Sequence, residues 1–254
     1  DARWLFFKVS PHGSAHHHRD TLGIQIWAGG HKLLIEPYVG DYAFERDVYN
    51  RSWWHSTPTL GAELLPLDPQ PEVLHWEAGD ELEYAAGQIR IPVSEDAETI
   101  TIRRHVFFVD RSWWALWDEF ADLPDGQVVW ENFHLVTRQL RIDDSGSLVM
   151  TALADGPNLL MHVGTPGWKV SAEETRMWPV YGHDTEPTAT LHYAGDATAV
   201  ERGFAALFAV VDGSDSPPET AFERVERLED GRVRLEVSVA GSRKTLTTQV
   251  VPQE

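Results

Sequence analysis

Apolar and polar residues alternate with a period of two along most of the chain, the pattern of strands that bury one face. It predicts strands at Arg3–Val9, Leu22–Ala28, Lys32–Glu36, Glu81–Val93, Glu98–Asp110, Trp113–Ala121 and Gln127–Leu135. Further strands are expected at Ser147–Leu153, Leu159–Val163, Trp168–Ala172, Thr188–Tyr193, Gly203–Val211, Arg232–Val239 and Lys244–Val251. Turn pairs such as Gly29-Gly30, Asp125-Gly126, Ser145-Gly146 and Asp230-Gly231 separate them. Helical periodicity is almost absent; Pro217–Leu228 reads as a short helix, or as a strand over Phe222–Leu228. Many strands at short, regular spacing predict an all-β fold: a large antiparallel β-sandwich of two or more stacked sheets, with few or no helices. Tyr38–Pro71, with four prolines, is the longest stretch lacking a strand pattern, and long irregular connections usually carry function. No repeat, low-complexity tract or linker divides the chain, so residues 1–254 read as a single domain.

A chain of 254 residues buries roughly 70–75% of its unfolded surface and needs no staple. It has no cysteine, hence neither disulfides nor thiolate ligands for a metal. No apolar run approaches the ~20 residues of a membrane helix, so a soluble chain without a membrane partner is expected. The start at Asp1, with neither Met nor a basic-then-apolar leader, reads as trimmed, with any export signal removed from view. The net charge of −19 is unevenly spread. Residues 1–60 hold six Lys/Arg, six Asp/Glu and six of the twelve His, and the remainder holds the whole acidic excess. Nucleic acid is thereby a poor partner. The neutral first sixty residues, rich in His and aromatics, are the region where an anion is not repelled outright.

Candidate chemistry falls in that region. In the run Ser10–Asp20, His16, His18 and Asp20 alternate and so share one face of an extended backbone. Imidazoles and a carboxylate so placed either converge on a borderline divalent cation or form a solvated polar loop. Glu36 closes an apolar strand just before Pro37, where a buried carboxylate has to be paired, hydrogen-bonded or metal-bound. His55, beside Trp53 and Trp54, reads either as a packed core histidine or as another ligand. His134, between Phe133 and Leu135, belongs either to an interior polar layer or to the border of a cleft. Of the pairs Trp53-Trp54 and Trp113-Trp114, one ring each is expected to be exposed for stacking on sugar. There is no Gly-rich phosphate loop, Gly-x-Ser-x-Gly elbow or His-Glu-x-x-His helix.

The ordered combination of His16-x-His18-x-Asp20, an apolar strand ending in acid-Pro, and Arg51-Ser-x-x-His55-x-Thr57 resembles the heparinase II/III-like family of polysaccharide lyases, at the start of its C-terminal β-sandwich domain. Thr101–Phe108, Trp113–Asp118 and Glu131–Leu135 resemble that domain's Arg-bearing strand, its aromatic strand ending in Asp and its Phe-His-Leu strand. The likeness covers residues 3–137 and is generic β beyond them. It implies a structural Zn2+, or another divalent cation, held by His18, Glu36 and His55, with Asp20 behind them as an acceptor fixing a His tautomer. Glu36 stands where the family ordinarily has Asp, one methylene shorter, and Ser56 where it ordinarily has Asn. His16 matches the family's first His, which neutralises the uronate or moves a proton, and is one candidate catalytic residue. Tyr38, Tyr42 and Tyr49 lie on the irregular stretch, with Tyr42 the candidate catalytic phenol. Arg51, Trp54, Arg104 and His134 are the candidate contacts to substrate, guanidinium to carboxylate and indole to sugar ring.

In that family a helical toroid supplies much of the cleft, and none is expected within this sequence, so a toroid domain or a partner chain is implied. The reading that results is a polysaccharide lyase, or the sandwich portion of one, acting on an acidic uronate-containing glycan by β-elimination in the periplasm or outside the cell. Two alternatives stand beside it. One is a non-catalytic carbohydrate-binding module that needs a partner. The other is a metal-dependent glycan hydrolase or oxygenase using His16, His18 and Glu36 as an open triad.

Overall fold

The computed structural model describes residues 2–11, 18–36, 52–61, 70–92, 99–177, 184–213 and 216–249. The chain forms β1 (Arg3–Phe7), β2 (Ile24–Ala28) and β3 (His31–Leu34), then a 3₁₀ turn at Ser52–Trp54. There follow β4 (Pro58–Thr59), β5 (Gln70–Glu77), β6 (Leu82–Pro92), β7 (Thr99–Val109), β8 (Trp113–Ala121) and β9 (Val129–Leu135). Next come β10 (Leu140–Ile142), β11 (Leu148–Thr151), β12 (Pro157–Val163), β13 (Lys169–Met177) and β14 (Glu186–Gly195). After helix α1 (Ala197–Arg202) the chain ends in β15 (Phe204–Asp212), β16 (Thr220–Arg227), β17 (Val233–Val239) and β18 (Ser242–Thr247). The first sheet runs β1-β2-β3-β9-β14-β13, with β4 also on β9; the second runs β10-β11-β12-β15-β8-β7-β6-β5; the third is β16-β17-β18. Every pairing is antiparallel, the all-β sandwich that the alternation predicts.

Alternation sorts the apolar side chains into two cores. Ile24, Ile26, Phe133, Leu191 and Tyr193 of the first sheet meet Ile102, Trp114, Leu116, Phe204 and Phe208 of the second. On the other face of the second sheet, Phe107, Trp113, Ala115, Trp117 and Leu207 pack on Val233, Leu235 and Val237 of the third. The second sheet is thus covered on both sides, which is why β8 and β15 are almost continuously apolar. It also corrects the expectation that one ring of Trp113-Trp114 is exposed: the two are 4% and 0% accessible, one in each core. Of the two readings of Pro217–Leu228 the strand holds, as β16 over residues 220–227, and the helix is α1, capped by Asp196, whose side chain accepts the Ala199 N–H. Gln70–Glu77, which begins at the end of the stretch read as irregular and for which no strand is predicted, is the edge strand β5, whose glutamates and histidine interrupt the apolar alternation.

Polar contacts fasten the third sheet over its core. Arg227 donates to Glu119 at 3.1 Å, Lys244 to Asp110 at 2.8 Å, and the Gln249 N–H to the Tyr84 hydroxyl at 3.1 Å. Burial alone would raise the Glu119 pKa, but His105, Arg227 and Arg103 outweigh it and hold the carboxyl at about 2. A carboxyl lowered in the folded state stabilises above its unfolded pKa and loses that contribution as the pH falls through the folded value. Between pH 4.5 and pH 2 the wild-type chain is therefore expected to lose on the order of 3 kcal/mol that Glu119→Gln does not lose. Urea midpoints across that window check it, with parallel curves for the two proteins as the contrary result.

Candidate metal centre

The centre is built on a turn where the chain enters β2. Leu22 N–H donates to Lys8 O at 2.8 Å and Lys8 N–H to Gly23 O at 2.9 Å, which ties the turn to the end of β1. Asp20 O accepts the Gly23 N–H at 2.8 Å, closing Asp20–Gly23 as a β-turn with Leu22 at φ 62. That left-handed conformation costs a leucine about 1 kcal/mol. The turn holds because Leu22 is fully buried and Arg104 Nη1 takes its carbonyl at 2.8 Å. A Cβ on Gly23 would lie 2.6 Å from Asp20 O and 3.7 Å from Glu36 Oε1, so only glycine fits there. Gly23→Ala is expected to cost about 1–3 kcal/mol and to lower metal content, because Asp20 has to shift. Thermal melts with elemental analysis read both, and an alanine variant with wild-type metal content would contradict the crowding argument.

A second segment brings His55. The 3₁₀ turn ends with the His55 N–H donating to Ser52 O at 3.0 Å, and the Thr57 N–H donates to His55 O at 2.9 Å. Ser56 O accepts from Ile24 N–H at 3.1 Å and from Arg104 Nη1 at 2.9 Å. Thr57 Oγ1 donates to Thr21 O at 2.5 Å, and Asn132 Nδ2 donates to Thr57 O at 2.8 Å. The Ile35 N–H donates to His134 O at 2.8 Å, fixing the strand end that carries Glu36.

These anchors bring His18, Asp20, Glu36 and His55 together, with one ligand atom from each within 4.8 Å of the others. Glu36 Oε2 faces His55 Nδ1, and the His18 and His55 rings have centroids 4.9 Å apart. Asp20 also accepts from Lys8 Nζ at 2.5 Å. Burial, followed by the charge of Asp20, raises the Glu36 pKa against the opposing pull of His55 and Lys8. Two imidazoles and two carboxylates form a donor set for a borderline divalent cation. A tetrahedral zinc with bonds of about 2.0–2.2 Å spaces its ligand atoms about 3.4 Å apart, which small side-chain shifts reach, Glu36 and His55 moving apart and wider pairs closing. The residues present therefore fit a metal ion.

The other candidate residues fare differently. His16, Tyr42 and Arg51 lie outside the described residues. Trp54 is half-buried on the 3₁₀ turn beside the cluster. Arg104 is corrected: it is fully buried, donating to Asp118 through Nε and Nη2 at 2.8–3.2 Å and to Glu131 at 2.7 Å, as well as to the two carbonyls above. Its guanidinium meets no solvent and serves as a strut. His134 is corrected too. It is fully buried, with Nε2 2.8 Å from Thr188 Oγ1, and burial with the nearby His55 pushes its pKa down to about 3, so it is a neutral member of an interior polar layer. Sequence reasoning missed Lys8, Gly23 and Asn132. Only Gly23 left a signal, a glycine three residues after an acid at a strand start.

No family model matches the chain. The curated heparin-sulfate lyase of Bacteroides stercoris is 22% identical to it over 265 positions, covering 97% of this chain and 37% of its own length. A crystal structure of a mutant heparan sulfate lyase from Pedobacter heparinus superposes with a TM-score of 0.82 at 18% identity, covering 98% of this chain and 40% of the lyase. The chain's fold is that of the β-sandwich portion of this lyase. A heparinase III structure gives the same TM-score of 0.82 at 18% identity, over 96% of this chain and 39% of its own. The chain thus spans about two fifths of the length of these relatives.

Proposed function

We propose that this chain is the sandwich portion of a polysaccharide lyase that cleaves an acidic, uronate-containing glycan by β-elimination. The observation that carries the reading is the meeting of His18, Asp20, Glu36 and His55 within 4.8 Å, in the part of the chain whose motif order resembles such lyases. The names of the relatives, heparin-sulfate and heparan sulfate lyases, support it. In the reaction a base takes the C5 proton, the C4–O bond breaks as the C4–C5 double bond forms, and an acid protonates the leaving oxygen. His16 and Tyr42 are assigned to proton transfer, and Arg51 and Trp54 to the substrate carboxylate and sugar ring. We assign the bound ion as structural zinc, whose contribution is to cross-link the two segments rather than to activate water. His18, Glu36 and His55 would hold it, with Asp20 as a fourth ligand or as an acceptor behind them, offset in charge by Lys8. A helical toroid, as a further domain or a partner chain, would complete the cleft, and the protein would act in the periplasm or outside the cell.

Incubation of the metal-loaded chain with a panel of uronate polymers, alone and with a helical toroid partner, tests this. The expected result is a rise in ultraviolet absorbance from the conjugated unsaturated uronate, abolished by His16→Ala. Glycan retention with no absorbance change in either mixture would favour the non-catalytic binding module instead.

A further inference from the structure

Between the third sheet and the second lies a cavity of about 420 Å³, on the face of the second sheet opposite the one the first sheet covers. In a chain of net charge −19, three guanidinium groups line it, Arg202, Arg224 and Arg227, against the carboxylates of Glu201 and Glu223. Hydrogen bonds and ion pairs sort these charges. Arg224 donates to Glu226 at 3.0 Å, Arg227 to Glu119 at 3.1 Å, and Glu223 is held by Arg243 at 3.3 Å. Arg202, exposed at the end of α1, has no partner among the described residues.

Two buried residues share the lining. Trp117, 2% accessible, contributes its indole ring to the wall. Thr165, 6% accessible, accepts the Ala205 N–H on its hydroxyl oxygen at 3.1 Å, which leaves its own proton for another acceptor. Folded proteins seldom leave such a donor unmatched. A free guanidinium and an available hydroxyl proton ask for an oxygen-rich anion, and guanidinium geometry suits sulfate and carboxylate. Phe222 adds an aromatic face on which the body of the ligand can lie.

We propose that this cavity is an accessory binding site for the sulfate or carboxylate of a sugar residue, remote from the metal centre. The anion is argued from the donors; its sugar carrier rests on the proposed function. Held there, a second stretch of polymer raises the effective concentration of the first at the cleft.

Titration of the ¹⁵N-labelled full chain with a sulfated uronate disaccharide, inorganic sulfate and a neutral disaccharide tests it. Trp117→Phe, which keeps an aromatic side chain but removes the N–H, assigns the Trp117 indole resonance. The expected result is a saturable shift of that resonance with the sulfated disaccharide, a weaker response to sulfate and none to the neutral sugar. Arg202→Ala, at an exposed position, should weaken binding about tenfold while leaving the spectrum of the free protein otherwise unchanged. No saturable shift at Trp117, or equal affinity in Arg202→Ala, overturns the site; sulfate binding as tightly as the disaccharide overturns the sugar. Because no turnover is read, failure here and failure of the lyase assignment are separate results.

Discussion

Stripping divalent cations with a chelator is expected to lower the melting temperature of the chain by about 10 °C, and zinc should restore it. An ion that binds the folded state alone, at a thousandfold excess over its dissociation constant, stabilises by about 4 kcal/mol, and a chain of this size shifts about 2–4 °C for each. His18, Glu36 and His55 come from three separated segments, and their ligand atoms converge with that of Asp20 within 4.8 Å. Without a cation, two carboxylates stand close together, their charge offset in part by Lys8. His18→Ala is expected to melt near the stripped wild type and to ignore the chelator. Loaded and stripped protein with the same melting point, but different activity, would instead fit an open catalytic ion and remove the structural assignment.

How far the sequence reaches can be argued residue by residue. The second sheet was readable because β7, β8 and β15 combine β-branched and aromatic residues with tight turns such as Asp110-Arg111, both at positive φ. The convergence of His18, Asp20, Glu36 and His55 was legible through the likeness of their ordered motifs to the heparinase II/III-like family, since each motif alone also fits a polar loop or a packed core histidine. Arg104 and His134 were misplaced for one shared reason. A polar residue alternating with apolar neighbours on a strand looks the same whether its face meets solvent or another layer. Only the second layer tells, here Leu22 and Ser56 over Arg104, and Thr188 beside His134. Lys8 was illegible because its partner Asp20 is twelve residues away and pairs with it only once the turn at Leu22 has formed.

Arg104→Met is expected to destabilise the chain by about 3–5 kcal/mol at neutral pH, the usual result of removing one partner from a buried charge network. The guanidinium satisfies Asp118, Glu131 and the carbonyls of Leu22 and Ser56, all inside the sandwich. Glu131 already has its pKa raised, by burial first and by Asp118 second, against the pull of Arg104. Without that pull the folded variant holds a proton at a higher pH than its unfolded chain does, so its deficit should shrink as the pH falls from 7 towards 5. A second consequence separates the strut from a simple ion pair. Ser56 adjoins His55 and Leu22 lies in the turn that carries Asp20, so loss of the guanidinium frees both sides of the metal centre. Metal affinity should fall about 10–100-fold, as it does when groups that orient ligands are removed. The triple variant Arg104→Met, Asp118→Leu, Glu131→Leu removes the buried charges together and should recover much of the stability. It cannot recover the donors to Leu22 and Ser56, so its metal affinity should stay low. Recovery of both in the triple variant would show that Arg104 only balances charge, and that the centre keeps its geometry without it.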